Sequence, residues 1–139
     1  MPEKTFQLEI LTPQRIAFRA PVRFVIAQGT EGVFEVLPGH APFVFALHPG
    51  PLRVRTPDGR DQHWAVGGGF LWVDGNTVTV LAHSAERPEE IDTTRAEQAR
   101  RRAEWRLQHP QGVDMPRAKA ALQRALARLK VAAYVERGT

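Results

Sequence analysis

TVTVLAHSAERPEEIDTTRAEQ, residues 77–98, changes character in its middle. Up to about Ala85 it is a strand-like run. From Arg87-Pro88 onward it is charged, alanine-rich and helical in pattern. A chain that switches period in this way carries two kinds of structure in series. The fold follows from what lies on each side of the switch.

Upstream, "TFQLEILT" at residues 5–12 alternates, with Phe6, Leu8 and Ile10 on one side and Gln7 and Glu9 on the other. That is the period of a half-buried strand. Further strand-like runs follow: "RIAFRA", "VRFVIAQG", "VFEVLP", "FVFALHPG", "PLRVRTPDG", "DQHWAVGGGFLWVDG" and "NTVTVLAHSA". Breaks rich in Gly and Pro separate them, and Thr12-Pro13-Gln14 is another turn signal. Pro57-Asp58-Gly59 and Asp74-Gly75-Asn76 suit hairpin turns, because Gly and Asn accept positive φ. Short strands at close spacing, with no helix between them, predict an antiparallel sandwich or barrel. "GGGF" at 67–70 lacks the Lys-Ser/Thr of a phosphate loop and no helix follows it. It predicts a bulge or a strand crossing where backbones pack closely.

Downstream, Ala96, Ala99, Ala103 and Leu107 form one narrow apolar stripe. Thr94 and Glu97 suit a capping box, with Ile91 as an apolar contact outside it. "HPQGVDMP" at 109–116 breaks the helix, and Pro116 suits the start of the next. A second helix is expected from about 117 to 134, with Ala118, Ala121, Leu122, Ala125, Leu129 and Ala132 or Ala133 as its stripe. Together these predict a helical hairpin. Alanine seams bring helix axes close but bury little area per residue, so the hairpin is expected to be weakly held. Trp105 is expected to pack on the sandwich or the second helix.

Composition narrows the function. The chain has 139 residues, 42% hydrophobic, and no cysteine. It therefore has material for a core and no thiolate chemistry. No apolar run reaches the roughly 20 residues of a membrane span, and the first residues lack a signal-peptide core, so a soluble cytoplasmic protein is expected. Residues 1–88 hold 8 basic and 8 acidic residues; residues 89–139 hold 11 and 7, which is the whole net charge of +4. The helical part should therefore prefer an anionic partner. The five histidines show no metal-ligand spacing, and no nucleophile motif or carboxylate pair suggests catalysis. His40, in a "LPGHAP" turn, has no evident activator.

Arg95, Arg102 and Arg106 share one face of the first helix, and Arg124 and Arg128 one face of the second. Packed antiparallel, these faces would converge, and clustered guanidiniums suit phosphate. Asp92 and Glu86 stand at the start of the first helix as acceptors. Each also has an ordinary reading: Asp92 as a helix cap, the arginines as a solvated face.

In order and spacing, "EGVFEVLPGHAPFVFAL", "AVGGGFLWVDGNTVTVLAHSAE", "IDTTRAEQARRRAEWRL" and "ALQRALARLKVA", with the opening strand ending in "LTP", resemble the epsilon subunit of bacterial rotary (F-type) ATP synthases. The resemblance covers nearly the whole chain. It implies an α+β architecture by domain: an N-terminal antiparallel β-sandwich, residues 1–87, then a C-terminal antiparallel two-helix hairpin, residues 88–139. It implies a non-catalytic subunit with no required cofactor, peripheral to the cytoplasmic face of the bacterial cell membrane. The sandwich would bind the gamma subunit and the c-ring. The hairpin would lie on the sandwich, or extend toward the catalytic beta subunits and inhibit ATP hydrolysis. The family's I/L-D-x-x-R-A motif is complete as Ile91, Asp92, Arg95 and Ala96. With Glu86, Arg102, Arg124 and Arg128 it implies ATP as a regulatory ligand. His40 matches the family's ring-facing histidine. Val33 stands at a ring-contact position where the family usually has an acidic or polar residue. Pro110 argues against one continuous helix through the loop. Two other readings differ in class. A basic nucleic-acid-binding module is disfavoured by Glu97 and Glu104 among the arginines and by the lack of an aromatic platform. A stand-alone ATP-binding sensor would act outside any synthase.

Overall fold

The computed structural model describes residues 4–136, with side chains through residue 134. Eight strands come first: β1 (Phe6–Leu11), β2 (Ile16–Val22), β3 (Phe24–Gly29), β4 (Gly32–Val36), β5 (Phe43–Arg55), β6 (Asp61–Asp74), β7 (Thr77–Ala82) and β8 (Ala85–Glu86). A 3-10 turn, Pro88–Glu90, leads to α1 (Thr93–Gln108) and α2 (Met115–Glu136). The strands hydrogen-bond in the order β2-β1-β7-β6-β5-β3-β4, with β8 beside β6. Every pairing is antiparallel except β1 with β7.

β1 shows the expected alternation: Phe6, Leu8 and Ile10 are buried in the sandwich core. The core is largely β-branched and leucine side chains, among them Val22, Val25, Val36, Val54, Leu52, Leu71, Val73 and Val80. Such residues suit a pleated surface packed on both sides of a seam. The Pro57-Asp58-Gly59 turn closes as expected, with Thr56 N donating to Arg60 O at 2.9 Å and Gly59 at φ +85°.

The glycines of "GGGF" sit where β6 changes partner. Ala65 and Val66 pair with β8, whereas Gly69 to Asp74 pair with β7. A Cβ on Gly69 would lie 2.0 Å from Leu81 O, with φ at +141°. Only glycine allows that approach. The irregularity also reverses the alternation. Trp64 and Val66 face the core before it, Leu71 and Val73 after it. The expected close crossing is therefore present, and it lets one long strand serve both layers.

One expectation is corrected. "FVFALHPG" and "PLRVRTPDG" are not separate strands; β5 runs through Pro49-Gly50-Pro51 without a break. These prolines lie where the β3–β5 ladder is itself interrupted, between Ile26 and Gly29. Their missing N–H groups cost little there.

The hairpin lies on the sandwich in two tiers. α2 contacts β5, β6 and α1, and α1 packs chiefly on α2. Ala96 and Ala103 of α1, and Ala118, Ala125 and Ala132 of α2, are buried as their spacing predicts. α2 has a second buried face that the alanine stripe does not announce. Ala127 and Val131 are buried, and Tyr134 on that side stacks on His63 of β6 at 3.5 Å between ring centroids. The helix starts two residues before the expected 117, with Pro116 in its first turn.

Two expectations for α1 are overturned. Its N-cap is Asp92, in extended conformation, whose Oδ1 accepts from Arg95 N at 3.0 Å. Thr94 is thus already helical, and Glu97 instead ion-pairs with Arg100 and Arg101. Trp105 packs on neither the sandwich nor α2: it is 60% exposed and stacks on His109 at 4.2 Å. It lies two residues from the buried Ala103, off the seam.

Candidate functional site

The residues implied at the hairpin come from the last strand, the linker and both helices. At the sandwich end, Arg128 Nε donates to Glu86 Oε1 at 2.6 Å, joining α2 to the last strand. Each side chain is about a third exposed. Near this junction Ile91 closes the 3-10 turn, its N–H donating to Pro88 O, and Ala96 is buried in the helix seam. Asp92 Oδ1 caps α1, and Arg95 and Arg102 are exposed on α1 without an ion-pair partner among the described residues. Arg124 lines a cavity between the helices together with Arg106 and Arg117. Arg124 lies one helical turn from Arg128, which pairs with Glu86.

The linker between sandwich and helices is fastened by residues the spacing argument did not find. Arg15, just before β2, donates to Ala85 O at 3.1 Å and ion-pairs with Glu90 at 3.0 Å. The Arg87 guanidinium lies over the Trp64 ring at 5.5 Å, a cation–π contact. Glu90 Oε1 accepts from Arg87 N at 2.9 Å. No local motif marks the partners of Arg15 or the Arg87–Trp64 contact, because they are distant in sequence and meet only once the sheet is assembled. On the hairpin of β5 and β6, hydrogen bonds from Arg55 and then Arg53 hold the Asp61 carboxyl below its usual range, against the opposing effect of burial.

At another edge, His40 and Val33 approach one aromatic cluster. His40 lies edge-on to Phe45 at 5.8 Å, and its Nδ1 is 2.6 Å from Ala41 O. Phe45 stacks on Phe34 at 4.0 Å. Val33, 64% exposed, lines a cavity of about 480 Å³ with Phe34, Phe43 and Phe45. A further apolar surface went unforeseen. Val44, Phe70, Trp72 and Leu81 are all exposed and neighbour one another across β5, β6 and β7, through the pairs Val44↔Trp72 and Phe70↔Leu81. The signal was in "GFLWVDG": four consecutive apolar residues cannot all face one core. Exposed apolar surface of this extent suits a protein partner.

Among the described residues no group of three His, Cys, Asp or Glu is placed to hold a metal ion. No helix among them is long and apolar enough to cross a membrane.

A strand-built domain with an exposed apolar face, carrying a helical hairpin fastened by a charged linker, defines a class of interaction protein with two parts. Residues 5–88 match the family model for the ATP synthase delta/epsilon chain beta-sandwich domain, and residues 89–133 that for its long alpha-helix domain. The chain belongs to this family and is of the epsilon type. It is 52% identical over 130 residues to the ATP synthase epsilon chain of Nitratidesulfovibrio vulgaris strain DP4, covering 93% of this chain and 96% of that one. To that of Syntrophomonas wolfei it is 45% identical over 133 residues, covering 95% and 97%. In fold it resembles a chain of the Euglena gracilis mitochondrial ATP synthase, seen in an OSCP/F1/c-ring structure, with a TM-score of 0.70 and 24% identity, covering 96% of this chain and 81% of that one.

Proposed function

We propose that this protein is a non-catalytic central-stalk subunit of a bacterial ATP synthase, with ATP as a regulatory ligand of its hairpin. The sandwich couples rotation of the c-ring to the catalytic head, and the hairpin restrains ATP hydrolysis when it leaves the sandwich. The apolar surface of Val44, Phe70, Trp72 and Leu81 suits burial against gamma, and the His40–Val33 edge suits the c-ring. An extended hairpin would carry its basic surface to acidic parts of the beta subunits. The protein would sit at the cytoplasmic face of the cell membrane through the complex.

One observation carries the regulatory reading. The Arg128–Glu86 pair joins the hairpin to the sandwich beside the start of α1, where Ile91, Asp92, Arg95 and Ala96 lie. A ligand held by these residues, with Arg102 and Arg124, would favour the docked hairpin by mass action, because only that state assembles them. Capping does not compete with this role. Asp92 uses one carboxylate oxygen for Arg95 N, and the Arg95 guanidinium remains exposed.

Calorimetric titration with ATP, beside an Arg95→Ala variant, tests the reading. The expected result is saturable binding that the variant loses. Equal binding by both proteins would remove Arg95 from the site, and none by either would remove ATP from the account. The coupling role is tested separately, by restoring the protein to a synthase complex that lacks this subunit and measuring ATP-driven proton pumping.

A further inference from the structure

Among the described residues, three buried side-chain polar atoms meet no hydrogen-bonding partner: Gln62 Oε1, Trp64 Nε1 and Arg87 NH1. All three come from one corner of the fold. Gln62 and Trp64 are two apart on β6, so they share the face that turns Trp64 into the core. β8 pairs antiparallel with β6 through Ala65↔Glu86 and Val66↔Ala85, so Arg87 follows opposite Trp64. Its guanidinium lies over the Trp64 ring, and Phe18 of β2 meets that ring edge-on at 6.2 Å. Trp64 is 3% exposed, so its indole N–H is shut off from bulk solvent. Arg87 reaches the surface by other atoms, with Nε 3.5 Å from Glu89, while NH1 is covered. A buried donor or acceptor left unmet costs its full desolvation, so such atoms are few in folded chains. Two donors and one acceptor in one corner point to a shared occupant.

We propose that this corner binds an internal water molecule, held by Gln62, Trp64 and Arg87, that pins the linker to β6. A water accepts from Trp64 Nε1–H and Arg87 NH1 and donates to Gln62 Oε1. It thereby meets all three atoms at once, with about the three bonds usual for an internal water. A bridge of this kind is nearly as good as a direct hydrogen bond. The donor set favours water over an anion, because the Gln62 oxygen would repel an anion. Turning the amide end for end would bring in Nε2 and make three donors, which suits chloride, so the test separates the two. The consequence is mechanical. Arg15 already ties the linker to the sandwich through Ala85 O and Glu90. The water adds a second tie at Arg87, whose backbone N–H donates to Glu90 Oε1. Residues 85–90 are then held by the sandwich at two points.

The test is nuclear magnetic resonance of the intact, ¹⁵N-labelled protein. A Trp72→Phe/Trp105→Phe variant, altered at two exposed positions, leaves Trp64 as the single indole and so identifies its N–H signal. Cross-relaxation between that proton and water is measured in the laboratory and rotating frames, where a long-held water gives opposite signs. Two variants are compared with the unaltered chain. Gln62→Leu removes the acceptor; Arg87→Met keeps an aliphatic stem beside the indole and removes NH1. Circular dichroism checks that each is folded. The expected result is a long-held water in the unaltered chain, lost or weakened in both variants, with amide exchange at Glu90 and Ile91 about tenfold faster in each. Those two N–H groups donate to Arg87 O and Pro88 O, so they report how firmly the linker is held. No long-held water in the unaltered chain overturns the proposal; an upfield Trp64 proton would then show it donating to the Phe18 ring. A water signal unchanged in either variant also overturns it, and loss of the water without faster exchange at those amides overturns the fastening. Spectra recorded with rising chloride at constant ionic strength complete the test. A saturable shift of the Trp64 signal would make the occupant an anion and overturn the water.

Discussion

The sandwich and the hairpin bury their apolar residues in different currencies. The sandwich core is mostly Val, Leu, Ile, Phe and Trp64 at almost zero exposure. The seam of the hairpin is alanine: Ala96, Ala103, Ala118, Ala125 and Ala132. A buried Leu or Val contributes about 1.5–3 kcal/mol, and an alanine methyl far less. The first domain therefore has a large-residue core of its own, whereas the second depends on a few larger contacts made by α2 with the sheet. A part that must hold shape and a part that must change position differ here in side-chain volume before they differ in anything else.

The largest effect belongs to the sandwich. Leu71→Ala, at a residue with no exposure, should cost about 2–5 kcal/mol in denaturant unfolding, and the hairpin should be lost with its platform. Val131→Ala, at the buried face of α2, should cost about 2 kcal/mol. That loss should appear as faster amide exchange in α1 and α2, with exchange in β1 and β6 unchanged. Equal acceleration in the strands would mean that the two regions unfold as one unit, and the comparison would fail. Asp92→Ala should cost about 1 kcal/mol through the lost cap, seen as fraying of α1 by exchange, and Asp92→Ser should recover most of it.

The smallest effect concerns pH. The Asp61 carboxyl is held low by Arg55 and Arg53, so its folded pKa lies below its unfolded one. Its contribution is full above the unfolded value of about 4 and is lost as pH falls through the folded value. The pair is solvent-reached, so the contribution is at most about 1 kcal/mol. The stability difference between the unaltered chain and Asp61→Asn should be constant near neutrality and shrink below about pH 4. Denaturant midpoints over that range check it.

Period made much of the fold legible. Phe6, Leu8 and Ile10 announce β1, and the alanines at 96 and 103 announce the seam of α1. Three glycines in a strand announced a close crossing, because a Cβ on Gly67 or Gly69 would overlap Ser84 or Leu81. Prolines misled at Pro49 and Pro51, since their cost depends on whether a neighbouring strand needs the N–H. The second face of α2 was hidden because Val131 and Tyr134 meet a sheet surface assembled from residues half a chain away. The site was legible as a set of arginines but not in its pairing. Spacing places Arg124 and Arg128 on one helix face, and only the tertiary position of Glu86 decides that Arg128 is paired while Arg124 lines the cavity between the helices.

β1 has a consequence for how the protein is made. Its parallel partner β7 lies some seventy residues later, with Gln7 opposite Thr77. A nascent chain that has paired β1 with β2 therefore still carries an open edge, the second hydrogen-bonding side of β1, until β7 emerges. Pairing so distant in sequence closes late and slowly. The hairpin helices are synthesised last, onto a sheet that the first strand has only then completed. During that interval the exposed edge is a ready target for chaperones or for a second nascent copy.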